Sequence, residues 1–399
     1  MTPFGYRVIG FGAFAAAAGA GGGGTTLSFG SEAVFNSSSS PDQGRVEYDP
    51  NNANKFVQVY RDRGNSEYGT AIVGTVSGTT ITYGSEYVFN SGSSGVKDLS
   101  FDPNDSDKFV VAYKDASNSN YGTAIVGTID GTAISFGTAA VFSEGWPTQL
   151  SMSVDPNNTG KFVVAYYDMD NSGYGTAIVG TVDGTDITYG SEYIFNSSTT
   201  AHPSISFDPN DSDKFVVAYK AAPANGTAVV GTISGTAISF GTVAEFHDWE
   251  TLYASMSYVT VAFDPNTAGK FVVAYMDGNI ANYGTGLVGT VSGTTISYGS
   301  KYTYTATAGA IYNHVGFDPN TAGKFVIVYR DGGNSDYGTA CVGTIDGTVI
   351  TFVSEVVFAS SAVEETSISF DPNTSGNFVI SYKDGGNSDY GTAIIGQLA

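Results

Sequence analysis

The sequence predicts an all-β protein, a seven-bladed β-propeller of four-stranded antiparallel blades, and two observations carry this prediction. The tripeptide Asp-Pro-Asn recurs at steps of 53, 53, 53, 56, 54 and 53 residues, beginning at Asp49, Asp102, Asp155, Asp208, Asp264, Asp318 and Asp371. The repeats also begin with an isolated fourth strand and stop after a third strand. A period of this length is typical of propellers and repeat arrays, and the divided unit indicates a closed ring.

Each repeat unit reads as four short strands. In residues 97–142, LSF precedes the Asp-Pro-Asn turn, KFVVAY follows it, TAIVGTI is apolar on both sides, and TAISFGTAAVF alternates. Runs of β-branched and aromatic residues between turn signals predict strands. Pro and Asx residues predict the first turn, and an SG or DG pair predicts the hairpin between the third and fourth strands. Apolar residues on both faces of the second and third strands indicate sheets packed between neighbours.

The two ends of the chain supply one unit between them. TTLSFGSEAVF at 25–35 matches the fourth strand TTITYGSEYVF at 79–89, and the last unit ends after YGTAIIGQLA, its third strand. We therefore expect the N-terminal strand to join the C-terminal blade and close the ring, so that no capping repeat is needed. The predicted domains are a Gly/Ala-rich N-terminal anchor or tether at 1–24 and the propeller at 25–399.

The first 24 residues lie outside the repeat and admit three interpretations. They are a secretory signal, a disordered tail, or an anchor that docks into a neighbouring subunit. The apolar stretch is broken by glycines and is too short for a membrane span. For the anchor, the residues that would bury are Phe4, Tyr6, Ile9, Phe11 and Phe14, with AAAAGAGGGG as a flexible tether.

Composition excludes several classes of function. With 38 acidic and 16 basic residues and a net charge of −22, the chain offers no basic stripe for nucleic acid. Its single cysteine, Cys341, stands where other units have Ile, which indicates a core position and excludes a disulfide framework. The three histidines lie in different units without short spacing, so we predict no transition-metal site and no cofactor.

Calcium is the one ion for which the sequence offers a pattern. DPNDSD at 102–107 and at 208–213 places hard oxygen ligands at alternating positions. The candidate ligands are Asp102, Asn104, Asp107, Asp208, Asn210 and Asp213. The other five units lack this pattern, so an Asx-rich turn is the favoured interpretation.

The differences between units concentrate in the crossovers from a fourth strand to the next first strand. In a propeller these crossovers share one face with the loops between the second and third strands, around the channel mouth, where ligands usually bind. Tyr and Trp beside polar residues suit stacking on sugar rings or a protein contact, although loops also vary and Trp also fills gaps. The predicted binding residues are Trp146, His202, His247, Trp249, Tyr253, Tyr312 and His314.

The repeat KFVVAYRDGGNSxYGTAIVGTVSGTTITYGSE, spread over 25–399, resembles propeller repeats of marine bacteriophage and cyanophage virion proteins. A short GFGAF followed by polyglycine is also similar to virion-associated proteins of those phages. The chain lacks the kelch, WD and Asp-box motifs. The resemblance implies a non-enzymatic virion structural or decoration module, attached to other capsid or tail proteins through residues 1–24. It further implies a propeller face presented for adhesion or host-surface glycan binding, and it carries no catalytic residues.

Two other functions stay open, both extracellular. One is a secreted polysaccharide hydrolase or lyase at the channel mouth, which would need paired carboxylates. Its candidates are Asp248, Glu250 and Glu144 with His202, His247 or His314, and nothing in the sequence pairs them. The other is a secreted lectin with up to seven equivalent sites.

Overall fold

The computed structural model describes residues 26–38, 41–248, 256–353 and 355–399. Within these residues the chain forms β-strands and three short 3-10 helices, at Arg63–Asn65, Gly278–Ile280 and Gly385–Asn387. The strands build seven antiparallel units, numbered one to seven by their Asp-Pro-Asn turns in chain order. The predicted all-β class is therefore confirmed. Among the described residues, no helix is long and apolar enough to cross a membrane.

The second and third strands are regular in every unit. The second strands are Lys55–Asp62, Lys108–Asp115, Lys161–Asp168, Lys214–Ala221, Lys270–Asp277, Lys324–Asp331 and Asn377–Asp384. The third strands are Tyr68–Ser77, Tyr121–Asp130, Tyr174–Asp183, Asn225–Ser234, Tyr283–Ser292, Tyr337–Asp346 and Tyr390–Leu398. Five consecutive residues of each second strand are buried, which confirms that these strands are covered on both faces.

The first and fourth strands are more varied. Separate first strands are Asp42–Tyr48, Pro147–Val154, Ser257–Phe263 and Ala310–Phe317. Fourth strands in two pieces are Leu27–Phe29 with Ala33–Asn36, Ala133–Phe136 with Ala140–Ser143, Ala237–Phe240 with Ala244–His247, and Thr295–Tyr298 with Tyr302–Thr303. Three long strands, Thr80–Phe101, Asp186–Phe207 and Val356–Phe370, carry a fourth strand into the next first strand, the last of them preceded by Val349–Phe352.

The hairpin between third and fourth strands differs by one residue from the prediction. Ser77 pairs with Thr80, so the two-residue loop is Gly78-Thr79 and not Ser77-Gly78. Gly78 has a φ of 62°. Glycine adopts this left-handed conformation without a steric cost, and it therefore takes the first loop position.

The N-terminal strands complete the last unit, as predicted. Leu27–Phe29 pairs antiparallel with the end of Tyr390–Leu398, and Ala33–Asn36 pairs with its beginning. The backbone amide of Thr26 also donates to the carbonyl of Ala399 at 3.1 Å. The two ends of the described chain therefore share one sheet.

The hydrophobic core is divided into seven clusters, each formed by two neighbouring units. One of them joins Val163 of unit three to Phe215 of unit four. The cluster that joins the ends packs Val379 and Ile395 of unit seven against Phe56 and Tyr60 of unit one. Contacts between units therefore run from each unit to the next and from the last to the first.

The Asp-Pro-Asn turns link neighbouring units. The Asp102 carboxylate accepts the backbone amide of Asn104 at 2.8 Å, which closes the turn. In every unit the Asn side chain then donates to a backbone carbonyl in the turn of the next unit. The series ends with Asn373 Nδ2, 3.4 Å from the carbonyl of Pro50 in unit one. Contacts between units, and not turn formation alone, explain why the tripeptide recurs.

Strand direction defines two ends of the molecule. We call the end with the Asp-Pro-Asn turns and third–fourth hairpins the turn face, and the opposite end, with second–third loops and crossovers, the loop face. The first described residue, Thr26, and the last, Ala399, are bonded to each other at the end of a third strand. Both therefore lie at the turn face.

Candidate functional site

A repeated β-bulge shapes the loop-face end of the first strands. The register of every first strand shifts near its beginning. In units three to seven the bulge residue has a left-handed φ between 48° and 57°, and none is glycine; these residues are Gln149, His202, Tyr258, Tyr312 and Glu365. Such a conformation costs about 1–2 kcal/mol for a residue with a Cβ atom. Strained, non-glycine positions that recur around one opening indicate a functional site.

These five bulge residues line one pocket of about 310 Å³, which we call the mouth pocket. Three rings from consecutive units form one wall. The ring centroids of His202 and Tyr258 are 5.6 Å apart, and those of Tyr258 and Tyr312 are 5.3 Å apart in an edge-to-face arrangement. Such a wall offers apolar ring faces together with hydroxyl groups, the surface on which a sugar ring packs.

Hydrogen bonds between units hold the wall in place. The Gln149 side chain accepts the backbone amide of His202 at 2.6 Å. Thr366 Oγ1 donates to the backbone carbonyl of Tyr312 at 2.5 Å, and Asn313 Nδ2 donates to that of Tyr258 at 3.4 Å. Because each bulge is bonded to a neighbouring unit, the wall is formed before any ligand arrives.

Below the mouth pocket lies a central cavity of about 440 Å³, lined by the first strands of all seven units. Small side chains of one unit accept backbone amides of the next, and we call this series the first-strand ladder. Ser151 Oγ accepts the amide of Ile205 at 3.3 Å, and Ser204 Oγ accepts that of Val261 at 3.1 Å. The residues that line both cavities are Arg45, Asp98, Ser151, Ser204, Thr260 and His314, so the two spaces adjoin.

Burial keeps both histidines of this region neutral. Burial, with Lys220 nearby, lowers the pKa of His202 to about 4. Burial, with Arg45 nearby, lowers the pKa of His314 to about 3. His314 Nδ1 accepts the amide of Ile368 at 3.2 Å, which leaves the ring proton on Nε2. Both rings therefore act as neutral polar groups at physiological pH.

The pKa values of two carboxyl groups in the central cavity are raised, whereas those of the two histidines are lowered. Burial raises the pKa of Glu47 well above its usual range, and Asp98 adds to the rise. Burial also raises the pKa of Asp98, against the opposing effect of Arg45. Arg45 Nε lies 3.7 Å from Asp98 Oδ1. The cavity therefore holds an Arg–Asp pair beside a carboxyl group that resists ionisation.

The structure brings three of the predicted binding residues together: His202, Tyr312 and His314 line the mouth pocket. Trp146 lies elsewhere, in the crossover from unit two to unit three, where Lys114 Nζ is 5.4 Å from the ring centroid. Trp249 and Tyr253 lie outside the described residues, as do Glu250 and the five predicted anchor residues Phe4, Tyr6, Ile9, Phe11 and Phe14.

His247 is buried inside the molecule. Its Nε2 lies 3.0 Å from Asp277 Oδ1 and 3.2 Å from Asn279 Nδ2. Burial alone would raise the pKa of Asp277, but the bond and charge of His247 lower it. Asn90 makes the matching contact with Asp115 in the second unit, at 3.1 Å. His247 therefore joins a fourth strand to a second–third loop, a structural role that the sequence did not reveal.

The turns predicted as calcium ligands use their oxygens within the protein. Both carboxylate oxygens of Asp102 accept backbone amides, from Asn104 and from Gly160 of the next unit at 2.6 Å. Asp208 repeats this with Asn210 and Gly269. Among the described residues, no group of three His, Cys, Asp or Glu side chains is placed to hold a metal ion. The calcium site stays a prediction, and the observed bonds fit the Asx-turn interpretation.

Cys341 lies in the core between units five and six, as predicted. Burial raises the pKa of its thiol to about 12. Of the predicted acid–base candidates, Glu144 lines an open cleft with Asp168, Asp170 and Glu192. This cleft is lined by residues of the second and third units, and neither His202 nor His314 lines it.

Sequence reasoning missed Arg45, Asp98, Gln149, Tyr258 and Glu365. A signal for Gln149, Tyr258 and Glu365 was present, because the repeat serves as its own alignment. The residue six positions before each Asp-Pro-Asn aspartate varies from unit to unit: Gln43, Val96, Gln149, His202, Tyr258, Tyr312 and Glu365. Of these seven residues, only His202 and Tyr312 are among the predicted binding residues.

Comparison with known proteins finds similarity in fold only. No protein-family model matches the chain, and no curated protein matches its sequence. A protein of unknown function from Dyadobacter fermentans DSM 18053 superposes with a TM-score of 0.56 and 10% identity, over 94% of this chain and 99% of that one. AofleA from Arthrobotrys oligospora superposes with a TM-score of 0.51 and 9% identity, over 86% of this chain and 95% of that one.

Proposed function

We propose that the protein is a non-enzymatic binding module, a seven-bladed β-propeller that holds a neutral glycan in the mouth pocket. One observation carries the binding proposal: the strained bulges of five units gather three aromatic rings and several polar side chains in a single pocket. Aromatic faces pack against sugar rings, and amide, carboxylate and guanidinium groups bond to hydroxyls. The net charge of −22 disfavours acidic polysaccharides by repulsion.

Three contacts support the closed propeller. The N-terminal strands pair with the last third strand. Asn373 of the seventh turn bonds to the first turn, and a shared core cluster joins the seventh unit to the first. The strand pairing repeats what third and fourth strands do within the other units, and the other two contacts repeat what neighbouring units do elsewhere.

We further propose display on a virion, as the resemblance to phage proteins implies. The geometry is compatible with it, because Thr26 leaves the sheet at the turn face whereas the mouth pocket opens at the loop face. Attachment of residues 1–24 to other virion proteins would then point the pocket outward. Cryo-electron microscopy of particles carrying the protein tests this: density joining residues 1–24 to another chain is expected, and a free N-terminus would contradict it.

The binding proposal is tested on a printed array of neutral glycans. We expect the unaltered protein to bind a subset of them, and the double variant Tyr258→Ala/Tyr312→Ala to lose that binding at least tenfold, because the stacking wall is removed. Trp146→Ala is the matched control, since this exposed aromatic residue lies outside the mouth pocket. Loss of binding in the control alone would move the site to the outer crossovers, and binding to no glycan would refute the proposal.

A hydrolase remains a second candidate because of Glu47. A carboxyl group whose pKa is raised by burial beside a second carboxyl group is the arrangement of acid catalysis in glycoside hydrolysis, and Glu47 and Asp98 line the same cavity. Incubation with p-nitrophenyl glycosides would release nitrophenol in this case, and Glu47→Gln would abolish the release. No release from the unaltered protein would remove this candidate.

A further inference from the structure

The first-strand ladder needs only a small hydrogen-bond acceptor at each position. At the place four residues before the Asp-Pro-Asn aspartate, Ser151, Ser204 and Ser367 each accept a backbone amide of the next unit through their hydroxyl group. The distances are 3.3, 3.1 and 3.3 Å. A serine therefore satisfies the fold at this place, and any larger or charged residue there needs another reason.

Asp98 stands at this place in the second unit and accepts a backbone amide as the serines do, but its charged form is costly to bury. Its Oδ2 accepts the amide of Met152 at 2.8 Å, as a hydroxyl would. Burial raises the pKa of Asp98, which means that its charged form is disfavoured at this position. For the bond to Met152 alone, the carboxylate supplies nothing that a serine hydroxyl would not supply.

Arg45 accepts no backbone amide in the first-strand ladder. A guanidinium has no acceptor, so the amide of Leu99, which would bond to this position, is accepted by Asp98 Oδ1 at 3.0 Å. Among the described residues, Arg45 donates to the carbonyl of Gly44 and approaches Asp98 at 3.7 Å, beyond hydrogen-bond range. Its side chain is 38% exposed. Donors of Arg45 are thus available at the junction of the two cavities.

We infer that Arg45 and Asp98 bind neighbouring hydroxyls of the terminal residue of a glycan, which enters the mouth pocket end-on. This inference rests on the proposed function and identifies the part of the ligand that the protein recognises. A guanidinium donates in a fork, and each carboxylate oxygen of Asp98 can accept a second hydrogen bond beside the amide that it already accepts, so together they fit two adjacent hydroxyls. Because one group of the pair is basic and the other acidic, the pair favours a neutral sugar over a charged one.

End-on entry follows from the position of the pair. Arg45 and Asp98 line both the mouth pocket and the central cavity, below the wall of Tyr258 and Tyr312. A sugar that touches the wall and the pair together points one end into the central cavity. An internal residue of a chain carries a glycosidic bond at that end, whereas a terminal residue carries hydroxyls there.

The test uses neutral glycans printed in matched pairs, once with a free terminal residue and once with that residue capped by one further sugar. We expect uncapped chains to bind at least tenfold more tightly than their capped partners. The double variant Arg45→Ser/Asp98→Ser installs at both places the hydroxyl that other units already carry, one for the amide of Leu99 and one for that of Met152, so we expect at least a tenfold loss of affinity without a lower thermal midpoint. Asp98→Asn keeps an acceptor for Met152 and serves if the double variant folds poorly.

Ser153→Ala is the matched control. It removes the hydroxyl that accepts the amide of Phe207 at 3.3 Å, deeper in the central cavity. It should lower the thermal midpoint slightly and leave affinity unchanged, the reverse of the other variants. Equal binding of capped and uncapped chains would refute end-on entry, and full affinity in Arg45→Ser/Asp98→Ser would refute the role of the pair. If no glycan binds at all, the proposed function fails and this inference fails with it.

Discussion

Two glycines of one strand should respond in opposite ways to the same substitution. Gly289 pairs with Phe271, whose ring covers it, and a Cβ atom at Gly289 would lie 2.1 Å from Phe271 Cζ. Gly286 lies three residues earlier, and a Cβ atom there would meet its nearest neighbour, Phe352 Cζ, at 3.1 Å. We expect Gly289→Ala to destabilise the protein and Gly286→Ala to be neutral or stabilising.

The magnitude for Gly289→Ala follows from the packing. Ordinary carbon–carbon contacts lie at about 3.5–4.0 Å, so the ring of Phe271 would have to move by about 1.4 Å or more. Phe271 is fully buried in the core between units four and five, so its ring can move only by displacing packed neighbours. Overpacking of this kind costs about 1–3 kcal/mol. We expect the upper part, about 2–3 kcal/mol, a fall in the folding equilibrium constant of about 30- to 150-fold.

Gly286→Ala is the matched control because the other six units already carry alanine at this place: Ala71, Ala124, Ala177, Ala228, Ala340 and Ala393. The neighbouring Phe352 needs to shift by only a few tenths of an ångström. Alanine also restricts the unfolded chain more than glycine does, which stabilises a strand by about 0.5–1 kcal/mol.

Urea-induced unfolding followed by circular dichroism measures both variants against the unaltered protein. The double variant Gly289→Ala/Phe271→Leu should recover part of the loss, because the smaller side chain makes room for the new methyl group. Equal free energies of unfolding for Gly289→Ala and Gly286→Ala would refute the reasoning. The reasoning would also be refuted if the double variant lost more free energy of unfolding than the two single variants lose together.

Three further variants test other contacts. Burial lowers the pKa of His314 to about 3, below its unfolded value near 6.5, so its contribution to stability is lost as pH falls through this range. Urea titrations at pH 7 and pH 4 should therefore show that His314→Ser gains stability relative to the unaltered protein at the lower pH. His247→Ala should lower the thermal midpoint by removing one hydrogen-bond donor of the buried Asp277, whereas His247→Asn, which can donate to Asp277, should restore much of it. Asp208→Ala should cost about 1–3 kcal/mol because it leaves the buried amide of Gly269 unpaired, and a loss below about 0.5 kcal/mol in urea would contradict that expectation.

Much of the candidate site could have been found by aligning the units with one another. His202 and Tyr312 were predicted, and Tyr258 occupies the same place six residues before its turn. Their neighbours in the mouth pocket come from units about 53 residues apart, so no local pattern shows that the rings meet. Trp146 and His247 share the crossovers with them, but the bulge directs only the first-strand residues into the pocket.

The sequence by itself determined the seven units, their four strands and the unit completed by both ends, because turn chemistry and strand pattern act over a few residues and recur at a fixed period. The tertiary structure alone decided which side chains meet. Arg45 and Asp98 come together because one first strand lies beside the next, and His247 is buried because its loop aspartate belongs to the following unit. Contacts between units depend on how the sheets pack, and the spacing of residues along one chain does not contain that information.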